Sequence, residues 1–470
     1  MQASPRYAPD LSRLHHSRGA LAHSVAPSTW RRAFEVRTAD ATIAPALRVG
    51  AATALVLVIG GLLGHGNLAG FAALGALTAA FGRYEPYPRL ARKTGLVGVA
   101  LVVFVAGGAL LGAAGLSLWL QIALMAVASG IAAWLLAAFR IAGPGPVILI
   151  FAATAAAGYS TRLADLGPAV VAVATGVVVG WIAAMTPCLF VPLGPARLAA
   201  ARALAAVAKL ERAHDVSAIA AARKAIDNAR DVIAHSGRGR DGHSHQLFAL
   251  LAEADTVVDR WAHERDHDTL RALVDHESEL RKVKRRSDLP SFTAEAAALP
   301  KPVGFLAEGV RGLRSREGIV NAARIAAAAA LAGWICVAVG LEHPLWASMG
   351  AMAAMQGFNF SQTVQRGIQR LVGNVAGAVL AAGLIAAAMG YWQTVVVIVV
   401  LQTVTELVVI KNYAFASVAI TPMALLLTGL GSAVAPDIAV SRVVDTLVGV
   451  VVGVIVSAVA ISRTDHHHVA

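Results

Sequence analysis

The chain has 470 residues, 57% hydrophobic and only 14% charged, with a formal net charge of +12. A soluble domain carries about a quarter charged residues, so a wholly soluble protein is excluded. The arginines flank apolar runs and occupy tails, and no nucleic-acid-binding motif occurs, so the basic balance reads as membrane topology rather than nucleic-acid binding.

In chain order, residues 1–42 are polar and Arg-rich and lack the short apolar run of a cleavable signal peptide, so they read as a tail. Five stretches then contain no Asp, Glu, Lys or Arg: 49–82, 94–139, 166–196, 371–405 and 446–462. An apolar span needs about 20 residues. The pattern predicts six spans within 43–190, near 43–64, 67–82, 94–114, 117–139, 143–160 and 167–190. Six more fall within 319–463, near 319–341, 344–358, 369–390, 392–410, 413–431 and 438–461. The second helix of each set is short and reads as tilted or partly re-entrant.

Residues 191–318 are a different material, with 21 Lys/Arg against 18 Asp/Glu. Ala, Leu and Val recur there at helical spacing, predicting a small helical module. It breaks at Gly237–Gly242 and continues as a helical stretch from about Gln246 to Arg286. The proline-bearing segment 288–303 returns the chain to the membrane. Basic residues gather in the tail 1–42, after the second and fourth spans of each set, and at Arg463, while the alternate loops are nearly bare. The positive-inside rule places both termini, including the tail 464–470, and the module 191–318 in the cytoplasm.

"GVVVG" occurs at Gly176–Gly180 and again at Gly449–Gly453, in the sixth span of each set. Arg48 and Arg324 occupy matching places in the first spans, and Gly82 and Gly357 close the second. A basic stretch leads into a Gly-rich third span in both, "RKTGLVG" against "QRLVGNVAG", and four such matches indicate a duplication. Because each half has an even number of spans, the repeats run parallel about an axis along the membrane normal, where a pathway belongs. The expected fold is an all-α polytopic membrane protein of two parallel six-helix transmembrane repeats, about 12 spans, with an intervening cytoplasmic helical module. Gly176, Gly180, Gly449, Gly453, Gly373 and Gly377 are read as packing residues that let helices approach closely.

The segment "HPLWASMGAMAAMQGFNFSQTVQRGIQRLVGNVAGAVL" (343–380) resembles the fusaric-acid-resistance-like (FUSC) family of bacterial membrane proteins, as do "ELVVIKNYAFASVAITPMALLL" (406–427) and "SRVVDTLVGVVVG" (441–453). The order of six spans, helical region and six spans fits its plan. The family includes aromatic carboxylic acid exporters and is related to plant aluminium-activated malate channels. The resemblance therefore implies organic-anion transport in the inner (plasma) membrane. The first half departs from the pattern, with no counterpart to "HPLW" and no acidic residue matching Glu406.

Charged residues inside spans are costly and so are candidates for function. Arg48 and Arg324 either snorkel to the interface or, if both face the axis, form a cationic ring that binds carboxylates through planar guanidinium forks. Glu406 is either half of an ion pair with Lys411 or a proton-titrating carboxylate that couples export to the proton gradient. Arg442 and Asp445, at i and i+3, can pair on one helix face, and they complete the proton-coupling set. Asn374 and Trp346 join the arginines as candidate substrate-binding residues, and Thr446 and Tyr413 can supply hydrogen bonds across helices. Trp346, Trp392 and Tyr391 equally suit an interfacial aromatic belt.

"HERDH" (His263–His267) matches the His-Glu-x-x-His zinc signature, with His276 as a third ligand to consider. Leu270 stands where the extended motif needs Gly, and the stretch is dense with charge, so no metal site is expected. His466–His468 offers adventitious metal binding at most. Cys188 and Cys336 read as small core residues. No nucleotide-binding loop and no nucleophile constellation occurs, so an enzyme is not expected, nor is a cofactor. The sequence reading is thus a proton-driven exporter of small organic anions, plausible substrates being aromatic carboxylates. A gated anion channel and a membrane-anchored scaffold or sensor acting through a protein partner at 191–318 are the alternatives. A monomer already holds two halves, and a homodimer stays open beside it.

Overall fold

The computed structural model describes residues 13–39, 41–211, 216–236, 242–261, 264–282, 303–357, 359–430 and 438–460. Among these the chain is helical, without strands. The helices are α1 (Arg13–Val25), α2 (Pro27–Ala33), α3 (Ile43–Leu62), α4 (Gly66–Ala76), α5 (Tyr87–Ala113), α6 (Leu118–Ala138), α7 (Val147–Tyr159), α8 (Leu166–Met185), α9 (Pro187–Phe190), α10 (Gly194–Ala208), α11 (Val216–Ser236), α12 (Gly242–Trp261), α13 (His267–Arg281), α14 (Phe305–Leu313), α15 (Arg316–Ala338), α16 (Pro344–Ala354), α17 (Phe360–Ala386), α18 (Tyr391–Val408), α19 (Tyr413–Thr428) and α20 (Ile438–Val459).

Among the described residues, eight helices are long and apolar enough to cross a membrane: α3, α5, α6, α8 with its flanking turns, α15, α17, α18 and α20. The other four expected spans appear as the shorter helices α4, α7, α16 and α19. Local chemistry limits them. The α4 segment runs into a 3-10 turn at Leu77–Ala80 and then Gly82 at φ 65. Gly143 and Gly145, both at positive φ, lie just before α7, and α19 carries Pro422 in its interior. At about 1.5 Å per residue, an 11-residue helix reaches roughly half of a 30 Å hydrocarbon core.

Contacts divide the chain into two compact units. One gathers the described residues up to Phe81, Val97–Gly180 and those from Gly309 onward; the other holds Gly82–Leu96 and the described part of Trp181–Glu308. The helical module expected at 191–318 thus also includes 82–96 and 181–190, and gives up 309–318.

In the first unit the long helices pack reciprocally: α3 lies on α18, and α15 lies on α6. Small residues set both contacts, since a Cβ at Gly50 would strike Thr403 and one at Gly130 would strike the Ala322 carbonyl. Tyr391 Oη donates to the Leu57 carbonyl at 2.7 Å across the first pair, and Trp334 Nε1 donates to the Trp119 carbonyl at 3.1 Å across the second. Gly176 and Gly180 of α8 press on the carbonyls of Ala72 and Ala76; Gly449 and Gly453 of α20 press on those of Ala347 and Ala351. The segment expected as a tail is instead partly folded. Helices α1 and α2 dock on α17 and α20, burying Ala20 and Ala33 against Phe360, Val364, Ile368 and Ala458.

The second unit packs α10 against α11, α12 and α13 around Leu204, Ile226, Ile233, Leu250, Leu251 and Val258. Arg223–Asp259 (2.6 Å) and Arg230–Asp255 (2.8 Å) tie α11 to α12. Buried Arg197 donates to the carbonyls of Glu279 (3.2 Å) and Lys282 (2.6 Å), capping the end of α13. Desolvation holds its pKa below the usual arginine value. The helical stretch expected over 246–286 is interrupted at 264–266, where Asp266 caps α13 by accepting from Thr269 N at 3.0 Å.

Candidate functional site: a buried polar ladder

Three helices of the first unit turn polar stripes toward one another. On α17, Arg366, Arg370 and Asn374 fall at i, i+4 and i+8; on α19, Tyr413, Ser417 and Thr421 do the same; on α20, Arg442 and Thr446 are one turn apart. Helix α17 packs on both α19 and α20. Gly373 and Gly377 make this possible, because a Cβ at either would collide with Ser417 or Thr421 and with a backbone carbonyl of α19.

The close approach closes a network around buried Asn374. Its Nδ2 donates to Thr446 Oγ1 at 2.7 Å, while its Oδ1 accepts from Thr421 Oγ1 at 2.5 Å and Ser417 Oγ at 3.3 Å. One turn away, Arg370 Nη1 donates to Tyr413 Oη at 3.1 Å. The Arg366 guanidinium lies 5.0 Å from the centre of the Tyr413 ring, and its Nη2 donates to Gln356 Oε1 at 3.1 Å. On the other side of Asn374, buried Arg442 lies 4.7 Å from the Trp346 ring centre, and Trp346 stacks on His343 at 4.6 Å.

The ladder is rich in cations without a close ion pair. Among the described residues, none of Arg366, Arg370 and Arg442 has a carboxylate within 4 Å, and Nε of each, with Nη1 of Arg442, is buried without a hydrogen-bond partner. Burying charge without a partner costs several kcal/mol, so a fold retains it only where something compensates. A guanidinium offers five donors in a planar fork, matched to a carboxylate.

Beyond Trp346 lies a cavity of about 920 Å³. It is walled by the starts of α4, α6 and α16 and the ends of α7 and α19, with Phe71, Phe151, Tyr159, His343 and Trp346 as its rings. Phe71 meets Tyr159 edge to face at 5.2 Å, and His343 Nδ1 is buried without a partner. Glu342 is the one charged residue of the described lining, so cationic character resides in the ladder and not in the cavity wall.

The expected site residues divide accordingly. Asn374, Trp346 and Arg442 belong to the ladder. The anticipated Arg442–Asp445 pair does not form: Arg442 turns to Trp346, while Asp445 Oδ1 accepts from Cys336 Sγ at 3.8 Å and its Oδ2 is buried without a partner. Thus i, i+3 spacing permits a pair without fixing rotamers. Glu406 is buried on α18 and accepts from Gln402 Nε2 at 3.2 Å, and among the described residues no carboxylate lies within 4 Å of Lys411. Arg48 Nη2 donates to the Ala79 carbonyl at 2.7 Å, and Arg324 Nη2 to Ser457 Oγ at 3.4 Å, each within its own half of the chain. Trp392 is exposed at the start of α18 beside Tyr391. Of the zinc-like motif, His267 meets Trp261 edge-on and sits 4.0 Å from Glu211. His263 lies outside the described residues, as do His466–His468, and the break at 264–266 removes the single helix the motif would need. Arg366 and Arg370 are among the basic residues that follow the second span of the second set; their i, i+4, i+8 spacing with Asn374 is the signal that distinguishes them.

A bundle with eight helices of crossing length defines a multi-pass membrane protein. Residues 329–456, which contain every rung of the ladder, match the family described as fusaric acid resistance protein-like. The chain is also similar to the uncharacterized membrane protein YvaC of Bacillus subtilis (strain 168), with 23% identity over 442 residues covering 82% of this chain and 67% of the relative. No solved structure gives a significant match.

Proposed function

We propose that the protein moves small organic anions across the inner membrane, with the α17–α19–α20 ladder as the path of the anionic group. The observation that carries this reading is the cluster of three arginines with no carboxylate within 4 Å among the described residues, aligned with a hydrogen-bonding Asn–Ser–Thr rung. Such sites attract anions and release them when no single contact is too strong. Aromatic carboxylates suit the geometry best, because the ladder ends at Trp346 and a cavity walled by aromatic rings.

The reading includes two parallel six-helix repeats. Its supports are the reciprocal packing of α3 on α18 and α15 on α6, the like seating of Gly176 and Gly449 on the second helix of each half, and a cavity lined by the second and fifth helices of both halves. Both termini and the helical module 191–318 lie in the cytoplasm, and the protein acts as a carrier rather than an enzyme. Proton coupling falls to Asp445, whose Oδ2 has no partner one turn from Arg442, with Glu406 as the second buried carboxylate. Protonated Asp445 would leave Arg442 free for the substrate; ionised Asp445 would compete for it.

Radiolabelled-benzoate counterflow in liposomes tests the proposal. Exchange by the wild type, lost in Arg370→Ala/Arg442→Ala and retained in Arg48→Ala/Arg324→Ala, supports the ladder. Loss only in the second pair returns the site to the predicted axial ring. No exchange by a folded wild type rejects organic-anion transport.

A further inference from the structure

The N-terminal hairpin of α1 and α2 has two faces. One is committed. Ala20 and Ala33 are buried on α17 and α20, and His23 Nε2 lies 3.3 Å from Ser361 Oγ and 3.1 Å from Thr29 Oγ1. The chain after α2 is held as well: Gln369 Nε2 donates to the Ala33 carbonyl at 2.7 Å, Asn412 Nδ2 donates to the carbonyls of Ala33 (3.0 Å) and Glu35 (3.1 Å), and Arg37 N donates to the Lys411 carbonyl at 2.9 Å. Gln369 and Asn412 are the chain neighbours of Arg370 and Tyr413, so the hairpin rests on the end of the ladder where α17 and α19 begin.

The other face has no protein partner among the described residues. Trp30, Phe34 and Val36 are exposed, and so are Arg31, Arg32 and Arg37, none of which has a side-chain hydrogen bond or ion pair. Neither α1 nor α2 contains an acidic residue, and exposed Glu35 is the one acidic residue among 30–37, against three arginines. What lies against this face follows from the chain. Six residues after Arg37, α3 begins with Ile43 and Leu47 turned outward, 67% and 62% exposed, on a helix of crossing length. At about 3.5 Å per residue, Arg37 cannot sit more than roughly 21 Å from Ile43, which keeps it near the bilayer boundary. Aromatic side chains beside arginines, on helices too short and polar to span, are the pattern of a segment lying in the interface.

We propose that this face binds acidic phospholipid headgroups, with Arg31, Arg32 and Arg37 on the phosphates and Trp30 and Phe34 in the interface. Lipid held there pins the hairpin over the end of the ladder. A soluble acidic protein would match the charge, but it would leave three apolar side chains at the bilayer boundary without purpose. The site stands whether or not the ladder carries anions.

The test uses the full-length protein in nanodiscs, read by hydrogen exchange of peptides covering residues 19–34. Discs containing phosphatidylglycerol should slow exchange about tenfold or more relative to phosphatidylcholine discs. Arg31→Gln/Arg32→Gln/Arg37→Gln should abolish that difference while leaving exchange in α17 unchanged, and high salt should reduce it. Native mass spectrometry should show phosphatidylglycerol retained by the wild type and lost by the triple variant. Equal protection in both lipids, or an undiminished response in the triple variant, overturns the proposal. Protection reproduced in phosphatidylcholine discs by inorganic phosphate also overturns it, assigning the arginines to a free anion.

Discussion

Two helix contacts of the bundle, one from the N-terminal half of the chain and one from the C-terminal half, are both made by glycines but carry different side chains beside them. In the first half, Gly108 and Gly112 of α5 press on the carbonyls of Ala153 and Ala157 of α7. In the second, Gly373 and Gly377 of α17 press on those of Ala414 and Val418 of α19. Both contacts are made by small residues, as expected where lipid gives no hydrophobic drive to helix association. Only the second contact adds Arg366, Arg370, Asn374, Tyr413, Ser417 and Thr421. Close packing is therefore achieved without polar groups in one half, so those in the other are retained for something else. The family match, confined to 329–456, falls on that polar half.

The strongest way to break this comparison is to make the second half resemble the first. Arg370→Leu should lower benzoate exchange about 100-fold, the scale for removing one preorganised charge contact, while a charge-sparing Arg370→Lys keeps part of it. If exchange persists in a folded Arg370→Leu protein, the arginines are structural. Glycine substitutions sharpen the comparison from the packing side. Gly112→Val and Gly377→Val should each destabilise by about 3 kcal/mol, the cost of overpacking a filled contact, read as thermal unfolding in detergent. Unequal losses would mean that the two contacts are not equivalent.

How much of this was readable beforehand differs by level. Charge-free runs located the twelve hydrophobic elements because hydrocarbon tolerates so little else. Repeated glycines pointed to contact sites for the same reason. Helix length was less legible: the positive-φ Gly82 after α4 and Gly143 and Gly145 before α7 bound helices that hydropathy alone reads as longer spans. Rotamers were not legible at all. Arg442 and Asp445 satisfy the spacing of a pair, yet the ring of Trp346 and the thiol of Cys336, far away in sequence, draw them apart. The docking of α1 and α2 was hidden because their short apolar face, Ala20 and Ala33, becomes meaningful only beside Phe360 and Ile368.

Asn374 gives a smaller effect. Asn374→Val imitates an apolar interface but strands Thr446, Ser417 and Thr421, so it should cost about 1–2 kcal/mol of stability. Adding Thr446→Val and Thr421→Val should recover part of that loss, since removing both partners is cheaper than removing one. A single-variant cost that the added substitutions do not reduce would show that Asn374 acts through shape alone.

The smallest expected effect concerns the hairpin and pH. Burial, with the nearby charge of Arg32, holds His23 below its ordinary pKa of 6.5, so the docked state prefers the neutral ring. Facing it are Thr29 and Ser361, neither of which supplies a negative charge. The sign follows: above 6.5 both docked and undocked forms are neutral and docking is at full strength. As pH falls through 6.5 the undocked ring takes up a proton first, and docking weakens until the lowered pKa is reached. Exchange of residues 19–34 should therefore quicken a few-fold on acidification. His23→Gln, which keeps a polar group in the same place, should remove the pH dependence while leaving the docked hairpin intact. A hairpin that loosens equally with Gln at this position would trace the effect to other groups.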